Sequence, residues 1–369
     1  MSIRKVGLQV IYNGYDATAD LSPYLLSWDY TDNAHGKLDS VSLVFEDKAG
    51  LWRGVWNPQQ GDTLELTIFT DNWYYQDMRE ELYLGIFEID EPEYSGPPDT
   101  IAIKGLSLSV GSSLRGEERY KSWEEVRLSK VAREIADAGA LELFYDVKWD
   151  PYYDRLEQQD KSALEFLLEL ASREALGLKL DSQRLVIYDR ISFEEIAPAV
   201  DFTRGDGQMI SYSFRKSIRD RYAGVHLEYE GISYDYDLPG GRGKILCISG
   251  QRVASLAEAE RVAKRMLWEK NIRAASCNIT CLGNIKLMAG MNIHIQGFDS
   301  YDGLWQIDEV NHSGAGYRCA IKGHKVLASA DYALVEIEGS IATELSQTIN
   351  NAKHIQKLVN KNKRRKVKL

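Results

Sequence analysis

Six histidines (His35, His226, His294, His312, His324, His354), four cysteines and two acidic clusters are the side chains of this sequence that could support catalysis or hold a metal. The histidines are scattered, with no HExxH and no paired spacing suited to zinc. Cys277 and Cys281 lie on an alternating segment, where a four-residue step spans roughly 13 Å, too far for a disulfide and awkward for one metal ion. With Cys247 and Cys319, which also sit among apolar strand neighbours, they read as small buried hydrophobes. Glu88-Ile89-Asp90-Glu91 and the pair Asp299/Asp302 could in principle serve as glycosidase carboxylates. Gly240-Gly241-Arg242-Gly243-Lys244 has the look of a phosphate loop, but Leu238 and Ile245 replace the glycine and the hydroxyl residue that such a loop needs, so it reads as a turn. A G-x-S-x-G elbow is also missing. These residues imply no catalytic centre, no metal and no cofactor, and therefore not an enzyme.

The acidic cluster belongs to something larger. Residues 85–105 (GIFEIDEPEYSGPPDTIAIKG) and 303–323 (GLWQIDEVNHSGAGYRCAIKG) agree without a gap at 10 of 21 positions. Chance would supply about one or two. The shared residues are Gly85/Gly303, Ile89/Ile307, Asp90/Asp308, Glu91/Glu309, Ser95/Ser313, Gly96/Gly314, and Ala102-Ile103-Lys104-Gly105 against Ala320-Ile321-Lys322-Gly323. A catalytic pair would not need duplicating with its scaffold, so Asp90-Glu91 and Asp308-Glu309 are read as structural. Each copy follows a Gly-led alternating strand, Gly61 to Leu66 and Gly290 to Ile295. Met291, Ile293 and Ile295 face opposite to Asn292, His294 and Gln296, the period-2 signature of an antiparallel strand with one buried face. Two distant parts of the chain are thus expected to build the same hairpin-rich unit.

The chain has 369 residues, enough for two to four domains, and 44% are hydrophobic. A net charge of −10 argues against a general nucleic-acid binder. No apolar run approaches the ~20 residues of a membrane span, and the N-terminal residues lack a signal peptide's apolar core. The expectation is a chain made and folded in a cytoplasm. Residues 1–111 read as a first β-barrel domain, crowded by Trp52, Trp56 and Trp73, which are expected in core and seam packing. Residues 112–200 read as an α/β insertion: a helix capped by Ser129 and ended by Gly139, a strand to Val147, a second helix over 161–171 and a short hairpin. Residues 201–330 read as a second β-barrel domain, interrupted by a helix with Ser255 and Glu258 at its start. In 331–369, Ile341, Leu345, Ile349, Ala352, Ile355 and Leu358 recur at helical spacing before a basic tail, and such a helix wants a partner surface. The fold class is α+β, mainly β.

Residues 1–330 resemble the phage late control protein D family, the baseplate hubs of contractile tails, and are similar to the hub portion of the valine-glycine repeat spike proteins of type VI secretion. The resemblance rests on Gln158-Gln159-Asp160-Lys161-Ser162-Ala163-Leu164-Glu165-Phe166-Leu167, on Ser255-Leu256-Ala257-Glu258-Ala259, and on Ala289-Gly290-Met291 through Gly303-Leu304-Trp305-Gln306-Ile307 to His312. Around 160–163 the sequence departs slightly from the family, which usually has Asp or Asn with a less charged neighbour. No spike β-helix follows residue 330, which implies a separate spike chain. The resemblance implies a homotrimer whose six tube-like barrels match a sixfold tail tube and whose threefold end carries a trimeric spike, with other baseplate (wedge) proteins around it. It also implies a place in a virion or tail-like particle, with no sequence-specific nucleic acid bound. Two other readings remain: a tail-tip protein of cell-wall degradation, which would need a convergent catalytic set, and a carbohydrate-binding β-protein, which would need surface aromatics in a groove.

Overall fold

The computed structural model describes residues 3–59, 61–107, 114, 119–180, 183–217, 219–241, 243–327 and 332. Ile341, Leu345, Ile349, Ala352, Ile355 and Leu358 lie outside them. Alternation builds the first region. The region holds strands β1 (Lys5–Tyr12), β2 (Tyr15–Asp16), β3 (Leu25–Asn33), β4 (Ser40–Glu46), β5 (Thr63–Asp71), β6 (Arg79–Ser95) and β7 (Thr100–Leu106), and a short helix α1 (Thr18–Leu21) follows β2. β4 and β5 turn every second residue inward. Leu43, Phe45, Leu64, Leu66, Ile68, Phe87 and Ile103 form the region's core.

Residues 119–193 make a compact α/β body. It contains β8 (Arg119–Arg127), α2 (Leu128–Ala138), β9 (Glu142–Asp146), β10 (Tyr152–Lys161), α3 (Ala163–Arg173), β11 (Leu176–Leu180), β12 (Arg184–Asp189) and α4 (Arg190–Phe193). Both helices present apolar faces to one core, where Trp123 stacks on Phe166 at 5.4 Å. Ser162 caps α3 in a full capping box with Glu165. Ser129 does not cap α2. That helix starts at Leu128, and the Asp150 carboxylate takes the Ser129 N–H at 3.0 Å, so the cap comes from a loop 21 residues away.

The last region holds two bodies. Strands β13 (Val200–Thr203), β14 (Met209–Lys216), β18 (Ala275–Leu282), β19 (Asn292–Gln296), β20 (Gly303–Ser313) and β21 (Arg318–Lys325) enclose one core. Between them β15 (Tyr222–Tyr229), β16 (Ile232–Asp237) and β17 (Lys244–Ser249) form their own three-stranded sheet. Helix α5 (Leu256–Asn271), capped by Ser255, covers that sheet with Val262, Ala263, Leu267 and Trp268. These strands, read from sequence as part of the second barrel, and the helix read as its interruption thus have a core of their own. Cys247 on β17 is exposed rather than buried, while Cys277, Cys281 and Cys319 are buried, and all four are free thiols.

One 13-stranded sheet runs through both β regions, in the order β14-β18-β21-β20-β3-β4-β7-β6-β5-β1-β2, with β19 branching from β20 and β13 from β19. No described helix is long and apolar enough to cross a membrane.

Candidate functional site

The catalytic candidates do not converge. Among the described residues no group of three or more His, Cys, Asp or Glu is placed to hold a metal ion. Asp302 accepts the Phe298 N–H at 2.6 Å and closes a turn beside Asp299. Gly240 has φ +64°, and Gly241 donates to the Leu238 carbonyl at 2.9 Å, so this glycine run is a turn. The tryptophans pack: Trp52 meets Trp56 edge-on at 5.5 Å, and the Trp73 indole N–H donates to the Gly283 carbonyl at 2.8 Å.

Sequence reasoning missed one cluster. Cys281 and Cys319 face each other across β18 and β21, and Cys319 Sγ lies 3.4 Å from His312 Nδ1. His312 Nε2 lies 3.0 Å from the Leu287 carbonyl, and the Tyr317 hydroxyl lies 3.3 Å from Nδ1. The Cys319 thiol is held below its usual range, by Cys281 first and then, against burial, by His312. A thiol next to an imidazole is a nucleophile-and-base pair in principle. Here both side chains are wholly buried, so the pair completes a core polar network. The available signal was the seven-residue step from His312 to Cys319 across one tight turn.

The repeated residues share a backbone geometry. Gly85 has φ +113° and Gly303 φ +118°; upstream, Gly61 has +88° and Gly290 +84°. Both hairpins carry a register irregularity at the same place: Ile89 pairs with Gly105 and Glu91 with Lys104, while Ile307 pairs with Gly323 and Glu309 with Lys322. Asp90 and Asp308 are the extra residues, each in a β-bulge that bends its strand. The Ile89 N–H donates to Asp62 O and the Ile307 N–H to Met291 O, both at 2.9 Å. Lys104 reaches Glu91 at 2.8 Å, and Lys322 reaches Glu309 at 2.7 Å. Both terminal glycines are crowded. A Cβ on Gly105 would meet Phe87 and Val41 at 3.1 Å, and one on Gly323 would meet the Gln306 carbonyl oxygen at 2.4 Å.

The strands flanking the hairpins correspond as well. β3-β4-β7-β6-β5 and β14-β18-β21-β20-β19 have the same order, antiparallel throughout. β3 slips against β4 between Leu25 and Ser27, and β14 slips against β18 between Met209 and Ser211. The two sets meet where β3 pairs with the distal half of β20, from Glu309↔Asn33 to Ser313↔Asp29.

Sequence comparison places this geometry among tail proteins. No protein-family model matches the chain. A probable baseplate hub protein of Escherichia phage 186 is 26% identical over 219 residues, 58% of this chain and 53% of that protein. The chain is related to the phage baseplate hub proteins. It spans about half the length of the curated relatives it matches. The fold is shared with solved structures. A 43 kDa tail protein of prophage MuSo2 from Shewanella oneidensis superposes with a TM-score of 0.65 at 15% identity, covering 87% of this chain and 98% of that one. A type VI secretion component of E. coli superposes at 0.51 and 13% identity, covering 91% and 80%.

The two hairpins do not come together: β3 and β4 lie between them in the sheet. Buried charge ties the join to the α/β body. Lys179 on β11 pairs with Asp32 of β3 and lies 3.0 Å from Asp39. Burial works against its charge, yet the two carboxylates outweigh it and the ammonium is raised. On the other hairpin, His324 Nδ1 lies 2.8 Å from the bulge residue Asp308, and Nε2 lies 3.2 Å from Glu194. Burial would push His324 down, but Asp308 and then Glu194 carry it up to about 9. The imidazolium is therefore charged at neutral pH, an arrangement that its pairing with both acids makes tolerable.

Proposed function

We propose that this chain is a structural baseplate hub of a contractile phage tail or tail-like particle, and that it acts by geometry rather than turnover. In this reading the two β regions are duplicated tube-like units, 1–111 and 201–330, with 112–200 inserted between them. Three subunits give six units that cap a sixfold tail tube, and the threefold end receives a trimeric spike. The tail tube protein, the spike and the wedge proteins are its partners, and the segment from Ile341 to Leu358, whose apolar residues recur at helical spacing, is a further contact for one of them. The observation carrying the reading is the pair of β regions with matching strand order, bulges and glycine geometry, joined edge to edge in one sheet. The hub-named relatives and tail-protein fold support it. The sealing of Cys319 and His312 supports a non-enzymatic role.

Light scattering on the purified chain tests this. The expected mass is three times the 41.9 kDa subunit, alone or once the spike protein is added. A chain that stays monomeric with its spike removes the hub reading.

A further inference from the structure

We propose that β14 of one subunit pairs antiparallel with the distal half of β6, Glu91–Ser95, of a second copy. This junction would repeat between chains the join that β3 and β20 make within one. The inference rests on the ring reading and supplies the contact that would close it.

Within the chain, β20 is the counterpart of β6 and β3 the counterpart of β14, by hairpin sequence and by the shared slips. Their join is already built. Its mirror halves are not: among the described residues β14 pairs only with β18, and Glu91–Ser95 pairs only with β7. Burial follows that difference. Trp28 on β3 is 6% exposed and its counterpart Tyr212 on β14 is 45% exposed; His312 is fully buried and its counterpart Tyr94 is 40% exposed. An open strand edge with exposed aromatics is a template for another chain.

Carrying the register across sets Glu93 opposite Arg215, Tyr94 opposite Phe214, Pro92 opposite Lys216 and Ser95 opposite Ser213. The chemistry matches pair by pair. Where the built join has Asn311 donating to Thr31 at 3.1 Å, the open one would have an ion pair. Where it has Tyr30 against His312 at 6.0 Å, the open one would have two aromatic rings. Arg215 now reaches Asp220 only at 3.8 Å, and Glu93 reaches Lys104 only at 4.0 Å, so both charges can be recruited. Pro92 fits too. Ala34 N→Asp308 O and Gly314 N→Trp28 O bracket the built join, which turns the Val310 N–H toward β3. Pro92 stands in the Val310 position, so the junction forgoes one ladder bond, and an edge strand tolerates proline there.

The signs also set the occupant. β6 against a second β6 opposes Glu91 and Glu93 to their own kind, and β14 against β14 does the same with Arg215 and Lys216. Only the unlike edges attract, which makes the contact head-to-tail and able to close a ring.

Two full-length variants, Ser95→Cys and Ser213→Cys, each with the exposed Cys247 changed to Ser, test the junction when mixed and oxidised. These positions match a pair lacking hydrogen bonds between its members, where opposed Cα atoms come to about 4.5 Å, within disulfide range. A cross-linked pair of chains is expected only when both variants are present. Glu93→Arg or Arg215→Glu alone should weaken self-association about tenfold, and the double swap should restore it. Both positions are exposed, so unchanged unfolding midpoints verify the fold. A trimer by mass without the cross-link overturns this junction and keeps the hub reading. A monomer without the cross-link, even with the spike present, overturns both.

Discussion

The two hairpins have one backbone and two environments. Asp90 projects from its bulge into solvent, whereas Asp308, from the matching bulge, is half-buried and points at His324. The position of His324 in the second hairpin is held by Leu106 in the first. Tyr94 is exposed where His312 is buried, because β3 covers the distal half of β20 and no described strand covers that of β6. Sequence identity between the copies therefore falls on residues that shape the strand: the glycines, the bulge acid and the Glu–Lys pair. Sequence difference falls on residues that meet a neighbour.

His324 offers the largest way to break this asymmetry. His324→Leu gives the second copy the residue of the first, but it leaves Glu194 buried, and Asp308 half-buried, without their cation. The expected loss is about 3–5 kcal/mol in urea unfolding at pH 7. The parent chain should also show the titration. A histidine raised from 6.5 to about 9 contributes stability that is complete below 6.5 and lost as pH rises through 9. Unfolding midpoints should fall over that window in the parent and lose this slope in the variant. Leu106→His should gain no such slope, since Asp90 faces water.

The crowded glycines come next. Gly323→Ala sets a Cβ 2.4 Å from the Gln306 carbonyl oxygen, a backbone atom that cannot step aside. Gly105→Ala meets mainly side-chain atoms at 3.1 Å. The first should cost about 2–4 kcal/mol by denaturant unfolding and the second about half that. Equal costs would mean that the two hairpins relax alike.

Much of this was legible in the sequence. Period-2 alternation over residues such as Leu64, Leu66 and Ile68 implies strands, and the 85–105 and 303–323 match implies two similar hairpins, because both depend on near neighbours. The Ser162 and Ser255 caps are local for the same reason. What could not be read was pairing at a distance. Asp150 caps a helix from another loop, Lys179 meets Asp32 across 147 residues, and β3 meets β20 across some 280. Strand edges carry no mark of the strand they will join. The Cys247 expectation failed for a related reason: apolar neighbours in sequence fixed alternation but not which face of β17 would be covered.

A thiol count gives a milder probe of the two cores. The positions of Cys277, Cys281 and Cys319 are occupied in the first region by Val41, Phe45 and Ile101, judged by their matching places in the β4–β7 and β18–β21 ladders. Only the second core can therefore be reached by thiol chemistry. Although Cys319 is held toward its reactive thiolate form, a reagent must first reach it, and burial denies that access. The native chain should release one equivalent of chromophore rapidly with Ellman's reagent, from Cys247, and all four only in denaturant. A second fast equivalent in the native state would mean that the β18–β21 ladder opens locally near its buried thiols.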